Sequence, residues 1–242
     1  GGKVNPERHE TAGQAPTSPN SPATMSGVLV LANLFLHYAF DAWMGREFPT
    51  IPFERYVDDA VVHCVSRGQA EYLLGRIRDR FTAVGLTLHP TKTRIVYCKD
   101  ERRTRDHEHT AFDFLGFTFR ARGARRKNGT IFASFMPAVS KNALNTMSAV
   151  VRSWRLHRRT GSQLADLATW INPIIRGWMN YYGAFYRTAL YRLWARINGY
   201  LLRWIRRKYE RLRPFTKAKT AWRRITRKAP TMFAHWQWCT VA

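Results

Sequence analysis

Apolar residues recur at two different periods along the chain, and the change from one to the other marks its organisation. From Gly27 to Met44 the sequence is almost continuously apolar, broken by Asn33, His37 and Asp41 at four-residue spacing, which places the three on one stripe of a helix. A bilayer-spanning helix would carry that stripe at mid-depth, so the segment reads as an amphipathic helix packed on a sheet, with no membrane partner expected. Ile51–Arg55 and Ala60–Val65, on either side of Tyr56-Val57-Asp58-Asp59, are rich in β-branched and aromatic residues and predict two short strands, with Asp58-Asp59 at the hairpin tip. Ser66-Arg67-Gly68-Gln69 matches a capping box, followed at helical spacing by Ala70, Leu73, Leu74, Ile77, Phe81 and Val84, with Gly85 as the stop. Leu86–Leu88, continuing around Pro90 into Arg94–Cys98, reads as extended, which makes a strand, helix, strand order. Lys99–Thr110 is a charged connection and Phe112–Phe119 a further strand or hairpin. Gly123–Gly129 is a basic turn before a strand at Thr130–Phe135.

From Pro137 the period becomes helical. Ser140 is placed to cap a helix carrying Leu144, Met147, Val150, Val151 and Trp154, and a second helix carries Leu164, Leu167, Ala168 and Ile171. Asn172-Pro173 reads as an N-cap followed by proline at the first helical position, opening a third helix through Trp178 and Tyr182. A fourth, about Thr188–Arg211, puts Leu190, Leu193, Trp194, Ile197, Leu201, Trp204, Ile205 and Tyr209 on one face and most of its arginines elsewhere. From Pro214 the positive charge continues but the periodicity is lost. The pattern predicts an α+β fold: a small antiparallel sheet with helices, then an all-helical part.

Composition changes the picture at the two ends. Residues 1–26 are Gly, Pro, Ser, Thr and Asn with almost no apolar content, and read as a disordered or foreign leader. After Phe119 lie 26 of the 40 Lys and Arg but only 2 of the 16 Asp and Glu, so this half supplies the whole net charge of +24. Such a load repels itself unless an anion binds, and nucleic acid is the expected partner. Arginine outnumbers lysine, which suits bidentate phosphate contacts, although a coding bias toward arginine produces the same ratio. Three cysteines without a Cys-x-x-Cys pair predict a reducing compartment. His235 and Cys239 can share a helix face, but two ligands do not make a zinc site. His107-Glu108-His109 lies in a polar connection and reads as solvated.

Two adjacent carboxylates on a strand turn suit a hard divalent cation, which takes oxygen ligands; the bland alternative is a solvated Asp-Asp turn. Tyr56-Val57-Asp58-Asp59 resembles the nucleotide-transfer hairpin of reverse transcriptases. The surrounding segments narrow the resemblance to group II intron-encoded reverse transcriptases and maturases. They are Leu31–Met44, Gly85–Thr93, Phe112–Phe117, Arg176–Tyr182 and Phe233–Trp236, in the family's order over about residues 27–238. The resemblance implies a palm remnant at 27–136, a helical thumb/maturase domain at 137–212 and a basic tail at 213–242.

In that family Asp58 would ligate metal, Asp59 would support it, Tyr56 and Val57 would neighbour the primer end, and Lys92 would lie near the incoming phosphates. Phe114-Leu115-Gly116-Phe117 is similar to the primer-grip hairpin, where Gly116 lets the backbone approach the strand being extended. Each has a plain reading as well: Tyr56 and Val57 as strand core, Lys92 as a solvated turn residue, and Leu115-Gly116 as a bulge. Arg125, Arg126, Lys127, Arg176, Arg203, Arg206 and Arg207 are the candidate RNA-binding cations. The implied cofactor is Mg²⁺, two ions in the intact family. The implied partners are intron RNA, an RNA template and a DNA primer, in a bacterial-type cytoplasm or on its nucleoid.

The family's Pro-Gln-Gly turn and Ser-Pro pair before the palm helix are replaced by Thr24–Val30. Its fingers and first palm strand, with a metal-binding Asp, have no counterpart in the sequence. The reading is therefore of a truncated chain that is inactive alone as an RNA-directed DNA polymerase, with a complementing reverse-transcriptase fragment as a further partner. The competing readings are an RNA-binding maturase module and a decayed remnant of a mobile element.

Overall fold

A computed structural model of the protein describes residues 22–239. Residues 1–21, most of the expected leader, lie outside the described residues. The chain divides into two compact units that meet in sequence between Thr93 and Arg94.

The first unit opens with helix α1 (Pro22–Leu36), a π-helical turn (His37–Asp41) and helix α2 (Ala42–Glu47). Residues 22–26, the last of the expected leader, belong to α1. Strands β1 (Phe53–Tyr56) and β2 (Asp59–Val62) form an antiparallel hairpin, and helix α3 (Arg67–Ala83) follows. Only half of the expected capping box forms: the Ser66 hydroxyl accepts from the Gln69 amide, but the Gln69 side chain accepts from the Val65 amide, one residue before the cap, and not from Ser66 itself. Phe40, Trp43, Met44 and Ile77 form the core, with Phe48, Phe53, Val62, Phe81 and Leu88 around them.

Two expectations for this unit fail. Leu86–Cys98 forms no strand: Pro90 has no N–H to give, and the chain turns there, with the Thr93 amide donating to the His89 carbonyl. The palm-like helix packs only through its second half, since Val28–Leu31, Leu34, Phe35 and Tyr38 are exposed. Val28–Glu47 is long and apolar enough, by length and composition, to cross a bilayer. Its stripe residues Asn33 and Asp41 are instead bonded to Arg55 of β1.

The second unit contains a three-stranded antiparallel sheet in the order β3 (Ala111–Phe114), β4 (Phe117–Arg125), β5 (Ile131–Val139). Helices α4 (Lys141–Ser153), α5 (Leu164–Tyr182), α6 (Tyr191–Lys208) and α7 (Phe215–Lys228) follow. Ser140 caps α4 as expected, accepting from the Ala143 amide. One core runs from Val139 through Met147, Val151 and Trp154 to Ile171, Ile175, Trp194, Ile197, Leu201, Trp204 and Phe233. The sheet is therefore joined to the helices of this unit through Val139.

Helix α5 corrects a boundary. The two helices expected on either side of Asn172-Pro173 are one, with Pro173 inside it. Asn172 does not cap it; its buried side chain donates to the Met232 carbonyl and accepts from the Ala234 amide. Tertiary bonding outweighs the local capping pattern because it satisfies two backbone groups of a distant segment. The expected tail is also structured. Ala218, Trp222 and Thr226 recur every four residues and bury one face of α7, and Phe233–Trp236 are buried beyond it.

Candidate functional site

In the first unit, Tyr56 pairs with Asp59 and leaves Val57-Asp58 as a two-residue loop. Val57 has φ +56°, the position where glycine ordinarily stands in such loops. A β-branched residue there costs about 1–3 kcal/mol unless its surroundings hold it. They do so here through Arg55, whose Nη1 donates to the Val57 carbonyl (2.7 Å) and to Asn33 Oδ1 (3.0 Å). Its Nε and Nη2 grip the two oxygens of Asp41 at 2.7 and 2.6 Å. The bonds from Arg55 hold the Asp41 carboxyl below its ordinary value, and those from Asp41 raise Arg55.

Asp58 and Asp59 are exposed at this tip, with Tyr56 exposed beside them and Val57 half-buried. Mg²⁺ is commonly held by one or two carboxylates, with waters and phosphate oxygens completing its shell, so the pair can contribute to an ion. It does not by itself make a two-ion site. Among the described residues no group of three or more His, Cys, Asp or Glu converges, and Asp41 is committed to Arg55. Lys92 is exposed in the turn after Pro90, with no bond to the tip among the described residues.

In the second unit, Phe114 pairs with Phe117 and leaves Leu115-Gly116 as the loop, at φ +50° and +77°. The Leu115 carbonyl accepts from the Tyr181 hydroxyl (2.8 Å), and the Gly116 carbonyl accepts from the Ser140 amide (2.8 Å). A Cβ at Gly116 would lie 2.9 Å from the Tyr182 hydroxyl. The absent side chain thus makes room for helix α5. Phe117 is buried among Tyr181, Tyr182 and Phe185.

The cationic candidates separate by their bonds. Arg126 is paired with Glu101 (2.5 Å) and covers the Phe132 ring. Arg206 donates to the Arg213 carbonyl (2.7 Å) at the end of α6. Arg125 and Lys127 are exposed at the β4–β5 turn, and Arg176, Arg203 and Arg207 are exposed on α5 and α6. From Lys141 to Lys228, Arg213 is the one cation with a carboxylate partner among the described residues, Glu210. Asp166, the other acid of this half, is spent on the α5 capping box.

Residues near the C-terminal end form a buried polar cluster. Asn198 Oδ1 accepts from His235 Nε2 (2.8 Å) and from Trp236 Nε1 (3.0 Å). Burial pushes His235 down to about 3, so the ring is neutral. The Cys239 thiol donates to the His235 carbonyl, and burial raises it.

Sequence reasoning missed Arg55 and Asn198 as supporting residues, and marked Tyr181 only as part of the Arg176–Tyr182 segment, without its bond to Leu115. Arg55 was detectable: β1 alternation puts it on the face of Phe53, and an inward cation needs a carboxylate, which the Asn33–Asp41 stripe supplies. Nothing local marks Asn198, or the partner of Tyr181, since the bonds they make span 37 and 66 residues.

Two family models match the chain. Reverse transcriptase (RNA-dependent DNA polymerase) covers residues 19–119, and the maturase-specific domain of group II introns covers residues 144–225. Comparison with curated proteins gives no match. The first match takes in the acidic hairpin and the β3–β4 loop and starts inside the expected leader; the second ends within α7. A palm segment followed by a helical intron-maturase segment defines the class of protein. The chain belongs to the group II intron reverse transcriptases and maturases.

Proposed function

We propose that the chain binds folded intron RNA through the cationic surface of its second unit and so assists splicing. The observation that carries this reading is the excess of exposed guanidinium and ammonium groups from Lys141 to Lys228, where Arg213 alone has a carboxylate partner among the described residues. Unneutralised cations on a folded surface are stabilised by a polyanion, and arginine suits the phosphate fork. The acidic tip at Asp58-Asp59 belongs, on this reading, to RNA-directed DNA synthesis with Mg²⁺ on an RNA template and a DNA primer. The two carboxylates supply part of the ligand set, and RNA binding is the activity that the cationic surface supports best. Free Cys64, Cys98 and Cys239 support a reducing, cytoplasmic setting.

A salt titration of binding to structured RNA tests the reading. Contact with about five to eight phosphates gives a slope of log K against log salt of roughly −4 to −7, depending on RNA form. Affinity independent of salt would overturn it.

A further inference from the structure

We infer that Arg55 is a positioning residue for the acidic tip, fixing the Val57-Asp58 loop so that the Asp58 and Asp59 carboxylates are presented together. The inference rests on the proposed role of that tip in metal-dependent synthesis. Arg55 itself touches neither the carboxylates of the tip nor any reacting group; it acts through the backbone.

The geometry is specific. Arg55 lies on the inward face of β1, with its side chain 12% exposed, and its guanidinium bonds the loop carbonyl and the helix at once. The helix is shaped to meet it. At 3.6 residues per turn, a four-residue spacing drifts by about 40° per step, which would carry Asp41 off the side of Asn33. The wider π turn at His37–Asp41 offsets that drift, and both residues reach the same guanidinium. Such single π turns recur at functional sites.

The loop needs an external hold because Val57, unlike glycine, does not favour φ +56°. The bond to its carbonyl ties that conformation to the bidentate Asp41 pair, so the loop cannot relax while the pair remains. A guanidinium that served only to neutralise Asp41 would have no reason to depend on the residue at 57. A lysine in its place could keep a charge beside Asp41 but has no planar fork to hold Asp41 and the loop together.

The test uses the full chain with Arg55→Lys, and the same variant carrying Val57→Gly. Backbone carbon shifts of residue 57 report φ, and Mn²⁺ broadening of the Asp58 and Asp59 resonances reports metal affinity. Arg55→Lys is expected to lose the positive-φ signature of Val57 and to weaken Mn²⁺ affinity by about tenfold, as loss of a ligand-orienting partner does. Val57→Gly should then restore the affinity to within about twofold, because glycine reaches positive φ without strain. Unchanged Val57 shifts in Arg55→Lys would overturn the inference, as would failure of Val57→Gly to restore affinity in a folded double variant. Should Arg55→Lys unfold the first unit, Asn33→Ala, which removes a bond from the same Nη1, is read in the same way. If the parent chain shows no Mn²⁺ broadening, the metal reading of the tip falls, and the Val57 shifts alone decide the role of Arg55.

Discussion

The Tyr181 hydroxyl donates to the carbonyl of Leu115, 2.8 Å away and 66 residues earlier in the chain. Helix α5 thereby holds the tip of the β3–β4 hairpin, whose loop residues are both at positive φ. Tyr181→Phe removes one bond at an exposed position and should cost about 0.5–1.5 kcal/mol. Gly116→Ala should cost more, since it adds left-handed strain of about 1–2 kcal/mol and a Cβ 2.9 Å from the Tyr182 hydroxyl. Denaturant melts of the two variants give the order directly; equal costs would mean that Tyr182 moves aside freely.

Trp204 and Arg203 are neighbours in sequence with opposite surroundings. The indole is buried and donates to the Arg159 carbonyl (2.8 Å), so Trp204→Ala should destabilise the fold by about 3–5 kcal/mol. Arg203 and Arg207 are exposed, and Arg203 lies over the Tyr200 ring. Changing both to Ala should move stability by no more than about 1 kcal/mol. The same double variant should flatten the salt dependence of RNA binding by about two units. A double variant that unfolds, or Trp204→Ala that stays folded but loses RNA, would reverse the assignment of faces.

Asn172 satisfies two backbone groups of the Met232–Ala234 segment. Asn172→Ala leaves the Met232 carbonyl and the Ala234 amide without that partner and should cost about 1–3 kcal/mol. Hydrogen exchange at the Ala234 amide should rise with it. Unchanged protection would show that another group takes the place of the side chain.

His235 makes the second unit sensitive to acid. Its folded value, about 3, lies below the ordinary 6.5, so its stabilisation is fully present above pH 6.5. It is lost progressively as the pH falls from 6.5 toward 3, because the unfolded chain takes up the proton first. Asp41 adds a loss in the first unit at lower pH, since Arg55 holds it below 3.8. Thermal melts from pH 7 to 4 should fall more steeply for the parent chain than for His235→Gln, which does not titrate. Parallel curves would show that His235 protonates without cost.

A fragment of residues 94–242 should fold and bind RNA, while 137–242 should be markedly less stable. The shorter fragment removes β3, β4 and most of β5, and with them Phe117, which packs among Tyr181, Tyr182 and Phe185. Circular dichroism melts of the two fragments compare them, and equal stability would show the sheet to be dispensable.

Much of the architecture is legible in the chain where a single element decides its own burial. The face of α6 carrying Leu193, Trp194, Ile197, Leu201 and Trp204 follows from apolar spacing, and the caps at Ser66 and Ser140 follow from side chains that reach amides three residues on. The flanking strands make the acidic hairpin legible but put its tip at Asp58-Asp59, whereas Asp59 pairs with Tyr56 and the loop is Val57-Asp58; Phe112–Phe119 reads as either a strand or a hairpin. The face of α7 was also present in the spacing of Ala218, Trp222 and Thr226, but its arginines obscured it.

The amino-acid sequence by itself determined the α+β class and the separation of a neutral first half from a cationic second half, which depend on local periodicity and composition, and the family, through the resemblance carried by its ordered motifs. Tertiary structure alone decided that Asn172 serves a segment 60 residues away instead of capping a helix. It likewise decided that Gly116 makes room for Tyr182, and that Arg55 binds Asp41, Asn33 and the Val57 carbonyl together. Apart from the Val57 carbonyl, these partners lie 14 to 66 residues away, and which of them meets a given polar group or backbone is encoded only in the packing that brings it near.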